Sequence, residues 1–306
     1  MIAVAPPPEP TEAELSPRGE HFATEDLTIA PGVRLVRSML LVVVVLAVGV
    51  AAQLLFISPF QERASQQRNY DAFRHALAAG TAPLGAGDVT KVGAPVAYLE
   101  IPTIHVRQVV VEGTDAGALA NGPGHRRDTS LPGQAGTSVL MGRAASYAGP
   151  FAHIGRLRAH DVIHITTGAG AFDFRVIDVR RSGDLAPAAP AAGGARVVLV
   201  SATGTPFVPS GVVLVDADMI GPGLRGTPPR FTPATLPNAD KVLAVDLRTL
   251  WRLALWLQGL IGVVLLGSYA WFRWDRRKAW IVFLPAFGLV ALLTAAELAR
   301  LLPNLL

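Results

Sequence analysis

Apolar residues fall along the chain in two different patterns. Three stretches are continuously apolar. Ser38–Ile57 (SMLLVVVVLAVGVAAQLLFI) and Leu253–Phe272 (LALWLQGLIGVVLLGSYAWF) carry no charge, and neither does Ala279–Ala296, which is followed by Glu297 and Arg300. A bilayer core needs roughly 20 apolar residues in a helix, so each stretch predicts a membrane-spanning helix. The helices are placed at 38–57, 251–272 and 279–302. Between the first two, the pattern shortens to β-rich segments bounded by Gly, Pro, Asn or Asp: Val96–Ile101, Val106–Glu112, Thr137–Gly142, Asp161–Thr167, Ala171–Val179, Ala195–Ser201 and Gly211–Ala217. Seven short strands in a domain of this size predict a sandwich or a small closed barrel over 95–220. Phe151–Ala159 reads as a short helix.

The remaining segments connect these parts. Residues 1–37 form a tail, rich in Pro and Glu up to Pro31, which predicts disorder. Residues 58–94 read as a stalk and loop, with Gln61–Ala79 continuing the first helix outward. Ser182–Gly194 (SGDLAPAAPAAGG) is a low-complexity loop, and 221–250 is a Pro-rich tether. The first apolar run reads as a retained anchor. A signal peptide has a shorter apolar core, and here Leu54, Leu55, Phe56 and Ile57 run on past any small-residue cleavage site.

Charge adds orientation. Arg34 and Arg37 precede the first helix, and Arg273, Arg276, Arg277 and Lys278 fill the loop 273–278. Both flanks are expected in the cytoplasm by the positive-inside rule, which puts the β domain outside the plasma membrane. Trp251, Trp256, Trp271, Trp274 and Trp280 gather at the ends of the last two helices, as an aromatic belt requires. The net charge of +4 is weak, and its basic residues serve topology, so no nucleic-acid partner is expected.

Composition then removes several chemistries. The chain of 306 residues is 51% hydrophobic and has no cysteine, which excludes disulfides, zinc–thiolate sites and thiol nucleophiles. His160 and His164 do not share a helix face, and no pair of aspartates forms a carboxylate dyad by spacing. Neither a metal nor a cofactor is expected.

Four ordered segments of the β domain carry a family resemblance. They are YLEIPTIHVRQVVVEGT (98–114), LANGPGH (119–125), LPGQAGTSVLMG (131–142) and YAGPF (147–151), with VVLVSATGTP (197–206) following. In this order they resemble an actinobacterial sortase. The resemblance implies an extracytoplasmic, membrane-anchored, closed barrel of eight strands. It also implies transpeptidation: a cysteine thiolate attacks a sorting signal, a histidine acts as acid and base, and an arginine stabilises the oxyanion. Carried over position by position, the histidine falls at Arg143, after Gly142. The cysteine falls at Gly204, two residues before Pro206, and the arginine falls near Val212. All three catalytic positions are vacated. His125, in the GPGH segment, reads as structural.

Two roles are open for Arg143: a surface arginine, solvated or locally paired, or a cation that receives a carboxylate or phosphate in a groove with Ser201, Thr203 and Thr205. The leading expectation is a degenerate sortase homologue that binds or scaffolds. Its candidate ligands are a sorting-signal peptide, a cell-wall precursor or another membrane protein. Two alternatives stand beside it: a transpeptidase or hydrolase that uses Ser201, and a structural membrane subunit that works through its last two helices.

Overall fold

Pro59 lacks an N–H and its ring crowds the carbonyl four residues back, so an α-helix cannot pass through it undisturbed. The computed structural model describes residues 31–88, 91–245, 249–273 and 276–306. Residues 1–30 of the tail expected to be disordered lie outside the described residues. Helix α1 (Pro31–Ala52) starts ahead of the expected boundary at Ser38, widens into a π-helical turn at Gln53–Ile57, and continues as α2 (Ser58–Ala78). Such a turn is a usual response to an interrupted ladder. Ser58 Oγ donates to the Leu54 carbonyl at 2.8 Å within it.

Helix α2 was expected as a stalk, but it packs on the β domain. Phe73 is buried, and Tyr70 tilts against Tyr98 at 5.5 Å between ring centroids. Gln66 behaves as a one-residue strand: its Oε1 accepts from Val109 N–H at 2.6 Å, and its Nε2 donates to the Val109 and Asn121 carbonyls.

The β domain is a closed barrel. Its strands are β1 (Pro95–Ile101), β2 (Val106–Glu112), β3 (Gly124–His125), β4 (Gly136–Met141), β5 (Val162–Thr167), β6 (Gly170–Arg181), β7 (Ala195–Thr205) and β8 (Val208–Met219). They close in the order β1-β2-β3-β4-β7-β8-β6-β5. The pairs β2–β3 and β4–β7 are parallel and the others antiparallel. Seven of these strands match the apolar segments of the sequence, whereas β3 is two residues long and has no period to read. Helix α3 (Ala116–Leu119) is a single turn capped by Asp115, whose side chain accepts from Ala118 N–H.

Alternation along each strand separates inside from outside. Leu99, Ile101, Leu140, Val197, Leu199 and Val215 fill the interior. The helix expected at Phe151–Ala159 is only one tight turn, Ile154–Arg156. Phe151, Ile154 and Leu157 have helical spacing, but they are used to fill the same core, and Leu157 is already extended. On the outer face, β7 presents Val198, Val200 and Ala202, and these are buried as well. Strands covered on both faces read as continuous apolar runs, as β7 does.

Helices α4 (Leu250–Arg273) and α5 (Arg276–Arg300) pack together, so α5 begins inside the expected loop 273–278. Gly49 admits close approach of α5: a Cβ there would lie 3.4 Å from that of Ala295. Small residues serve this role between membrane helices. Among the described residues, three helices are long and apolar enough to cross a membrane, at Val43–Ala78, Leu250–Ala270 and Ile281–Arg300. The segment 221–245 lies against the barrel. Leu224 N–H donates to the Gly133 carbonyl, Arg127 stacks on Phe231 at 4.1 Å, and Asp240 accepts from Thr114 N–H at 2.9 Å.

Candidate functional site

The site is built where β4 ends beside β7. Gly142 N–H donates to the Val200 carbonyl at 3.0 Å. A Cβ at Gly142 would lie 2.5 Å from the Phe151 ring, so only glycine lets the chain pass that core residue. The next residue, Arg143, is fully buried. Its Nε donates to the Leu119 carbonyl at 3.2 Å, and Nη2 to the Ala116 carbonyl at 2.9 Å. Nη1 reaches Ser146 Oγ at 3.0 Å and the main-chain oxygen of Leu306 at 2.7 Å. The guanidinium also lies 4.8 Å from the Tyr147 ring. Tyr147, at φ 51°, donates its N–H to Ser58 Oγ at 3.0 Å. Burial pulls the Arg143 guanidinium down to about 10, and the Tyr147 ring partly offsets this. That value is still far above neutrality, so the side chain carries its charge.

Arg143 is therefore neither a surface arginine nor a cation open to a soluble anion. Its donors are spent on main-chain oxygens of α3, on Ser146 and on Leu306. The burial also separates the residues that the sequence grouped into one groove. Thr203 and Thr205 line a cavity of about 590 Å³ together with Gly204, Phe207, Ala144 and Leu306. Arg143 and Ser201 are buried behind it, and Ser201 Oγ donates to the Gly142 carbonyl at 2.9 Å. Val212 pairs with Ala202 and turns to the outer face, where it packs among the residues around Leu305.

Gly204 lies at a register shift near the β7–β8 turn, with φ +127°. A Cβ there would lie 2.6 Å from the Val208 carbonyl oxygen and 2.8 Å from Ser210 N. Positive φ already disfavours a side chain, and the contact closes the space one would need.

The segment that sequence reasoning missed is Pro303–Leu306. It follows α5 and packs on the outer face of the barrel beside β4 and β7. Ser146 Oγ donates to Leu306 O, and Ala144 N–H donates to the Leu305 carbonyl at 2.9 Å. Asn304 Nδ2 donates to Thr114 O at 2.7 Å and Lys241 O at 2.9 Å. Leu305 and Leu306 pack on Leu119, Met141, Val198, Val200 and Ala202. Two sequence signals pointed here. The run Ala195–Ala202 does not alternate, so its outer face needs a cover, and two leucines end the chain segment after the third apolar helix.

His125 is structural in its setting. Its ring joins the buried Glu112 carboxylate at 2.9 Å and the Ser130 carbonyl at 2.9 Å, tying β2, β3 and the following loop. His164 pairs with Asp173 across β5 and β6 at 2.6 Å. Among the described residues, no cluster of His, Asp and Glu could hold a metal ion.

Residues 99–214 match the family model described as Sortase domain. This chain belongs to the sortase family. It is 33% identical over 82 residues to Sortase D of Bacillus subtilis (strain 168), which covers 27% of this chain and 40% of that protein. Among solved structures, a Clostridium perfringens Sortase D5 transpeptidase is 21% identical, covering 52% of this chain and 98% of that one, with a TM-score of 0.42. Sortase C-1 from Actinomyces oris is 30% identical, covering 42% and 75%, with a TM-score of 0.36. The chain thus spans two fifths of the length of its curated sortase relative.

Proposed function

We propose that this sortase-family protein has lost transpeptidase chemistry and that its barrel is a binding or scaffold module held outside the plasma membrane. The carrying observation is Gly204. It occupies the position that the motif register gives to the nucleophile, in a chain without cysteine, and its backbone leaves no room for a side chain. A nucleophile must be an activated heteroatom held near a base, and glycine offers none. The hydroxyl alternative loses support because Ser201 is fully buried and its Oγ is committed to the Gly142 carbonyl. Arg143 stands at the histidine position and stays charged, so it supplies no base. Ligand candidates are a sorting-signal peptide, a cell-wall precursor or a membrane partner.

The topology belongs to the same reading. Arg34 and Arg37 precede the first apolar stretch, and Arg273, Arg276, Arg277 and Lys278 stand between the last two, which favours an inside location for both. The docking of Pro303–Leu306 adds support that does not depend on charge, because it puts the far end of α5 on the side of the barrel.

The test is cleavage of a sorting-signal peptide, with and without an amine acceptor, by the full chain in nanodiscs. No turnover is expected from the wild type, from Gly204→Cys, or from a triple variant that adds Arg143→His and Val212→Arg. Catalytic groups that act together are strongly non-additive, and here the strained backbone at 204 adds to their loss. Turnover by the wild-type chain, abolished by Ser201→Ala, would overturn the proposal.

A further inference from the structure

One wall of the cleft beside Gly204 is supplied by residues from beyond α5. Pro303–Leu306 forms a turn, closed by Leu306 N–H donating to the Pro303 carbonyl at 3.0 Å, and it is read by both main chain and side chains. Two groups converge on Leu306 O, the Nη1 of Arg143 and Ser146 Oγ. Ala144 N–H takes the Leu305 carbonyl, and Asn304 N–H donates to the Ala244 carbonyl. The Asn304 side chain is held by carbonyls from Thr114 and Lys241, while its Oδ1 is buried without a partner. Leu305 and Leu306 cover the outer face of β7, and Leu306 forms part of the wall of the 590 Å³ cavity that contains Gly204. This combination recognises a turned peptide: a guanidinium and a hydroxyl for one main-chain oxygen, a backbone amide for the preceding carbonyl, and an apolar strip for two leucines.

We propose that Pro303–Leu306 is an internal ligand of the sortase site, a latch held by Arg143, and that the site accepts a turn-forming Pro-Asn-Leu-Leu peptide in trans only when the latch leaves. The proposal rests on the reading of the barrel as a binding module, whose ligand class it names. Arg143 is a positioning residue in this scheme. It stands where the motif register puts the family histidine, and it now orders α3, Ser146 and Leu306 together. A tethered segment competes at an effective concentration in the millimolar range, so an identical free peptide binds the latched protein about a hundredfold more weakly than the released one.

The experiment uses the full chain in nanodiscs and a fluorescent pentapeptide, Leu-Pro-Asn-Leu-Leu. Four proteins are compared: the wild type, a variant lacking 303–306, Leu305→Asp, and the deletion combined with Arg143→Met. The deletion and Leu305→Asp are expected to bind the peptide about a hundredfold more tightly than the wild type. Adding Arg143→Met is expected to abolish the gain. Leu305→Asp keeps the chain intact should the deletion fold poorly. Hydrogen exchange supplies a reading without any added peptide: Arg143→Met should speed exchange at the Ala144 and Asn304 amides while Leu199 stays protected. Equal peptide binding by wild type and both release variants, binding by neither, or unchanged exchange in Arg143→Met would overturn the latch. Sorting-signal turnover by the wild-type chain would sink the binding-module reading instead, and would leave these measurements standing.

Discussion

A guanidinium buried with no carboxylate side chain beside it is costly unless its nitrogens find oxygens. All three nitrogens of Arg143 do so, through four hydrogen bonds to the carbonyls of Ala116 and Leu119, the Ser146 hydroxyl and Leu306 O. Arg143→Met would leave those acceptors buried and unpaired. It should cost about 3–5 kcal/mol, the range for breaking a buried charged network, measured by denaturation in detergent. Asp240 offers a second check. Burial raises its carboxyl above the ordinary range, and the Thr114 N–H draws it partly back. In the window between the ordinary pKa and that raised value, the folded state holds the extra proton. Stability therefore falls as pH rises through the window. Asp240→Asn removes this dependence and can keep the bond to Thr114. Relative to wild type, the variant should gain melting temperature as pH goes from about 4 to 7, since the ordinary carboxylate pKa marks the lower edge. The sequence leaves Arg143 as a surface or groove cation and misses its burial. Ser146 and Tyr147 are its near neighbours in the chain, and its other hydrogen-bond partners lie 24 to 163 positions away.

At the scale of elements, α2 was the hardest to read. It is polar on most of its surface, which suits a solvated stalk. Its docking depends on one amide and one aromatic, Gln66 and Phe73, which leave no periodic trace. β3 explains why the amide matters. It pairs with β2 only at Val111 and Glu112, so Val109 has no strand on its outer side. Gln66 fills that gap. Gln66→Leu should cost about 2 kcal/mol by leaving the Val109 N–H and carbonyl without partners. A fragment that begins at Gly80 should aggregate, whereas one that begins at Ser58 stays dispersed, because an uncovered strand edge recruits other chains. Light scattering of the two fragments decides this. The long strands were legible by contrast, because their apolar, β-rich character is sustained over six or more residues.

For the whole molecule, the plan of an apolar helix, a β domain and two further apolar helices was legible from hydrophobic pattern, and the motif resemblance decided for a barrel over a sandwich. The closure at Pro303–Leu306 was not, because a short apolar segment after a helix carries no period and its partners lie far away in sequence. The absence of cysteine makes the proposed orientation easy to measure. Single replacements Gly183→Cys, after β6, and Lys278→Cys, near the start of α5, lie in exposed positions. In intact cells an impermeant thiol reagent should label position 183 and spare 278. The reverse pattern would invert the topology.

The contact between Arg143 and Leu306 also has a consequence in time. The barrel strands are complete in the chain by Met219, yet the strip of Val198, Val200 and Ala202 stays wet until residues 303–306 arrive. On the proposed topology that arrival waits for α4 and α5 to insert. Maturation of the outer domain is therefore gated by events inside the bilayer. A chain stalled before α4 and α5 insert would display a sticky β7 surface, which chaperones and surface proteases can recognise as unfinished.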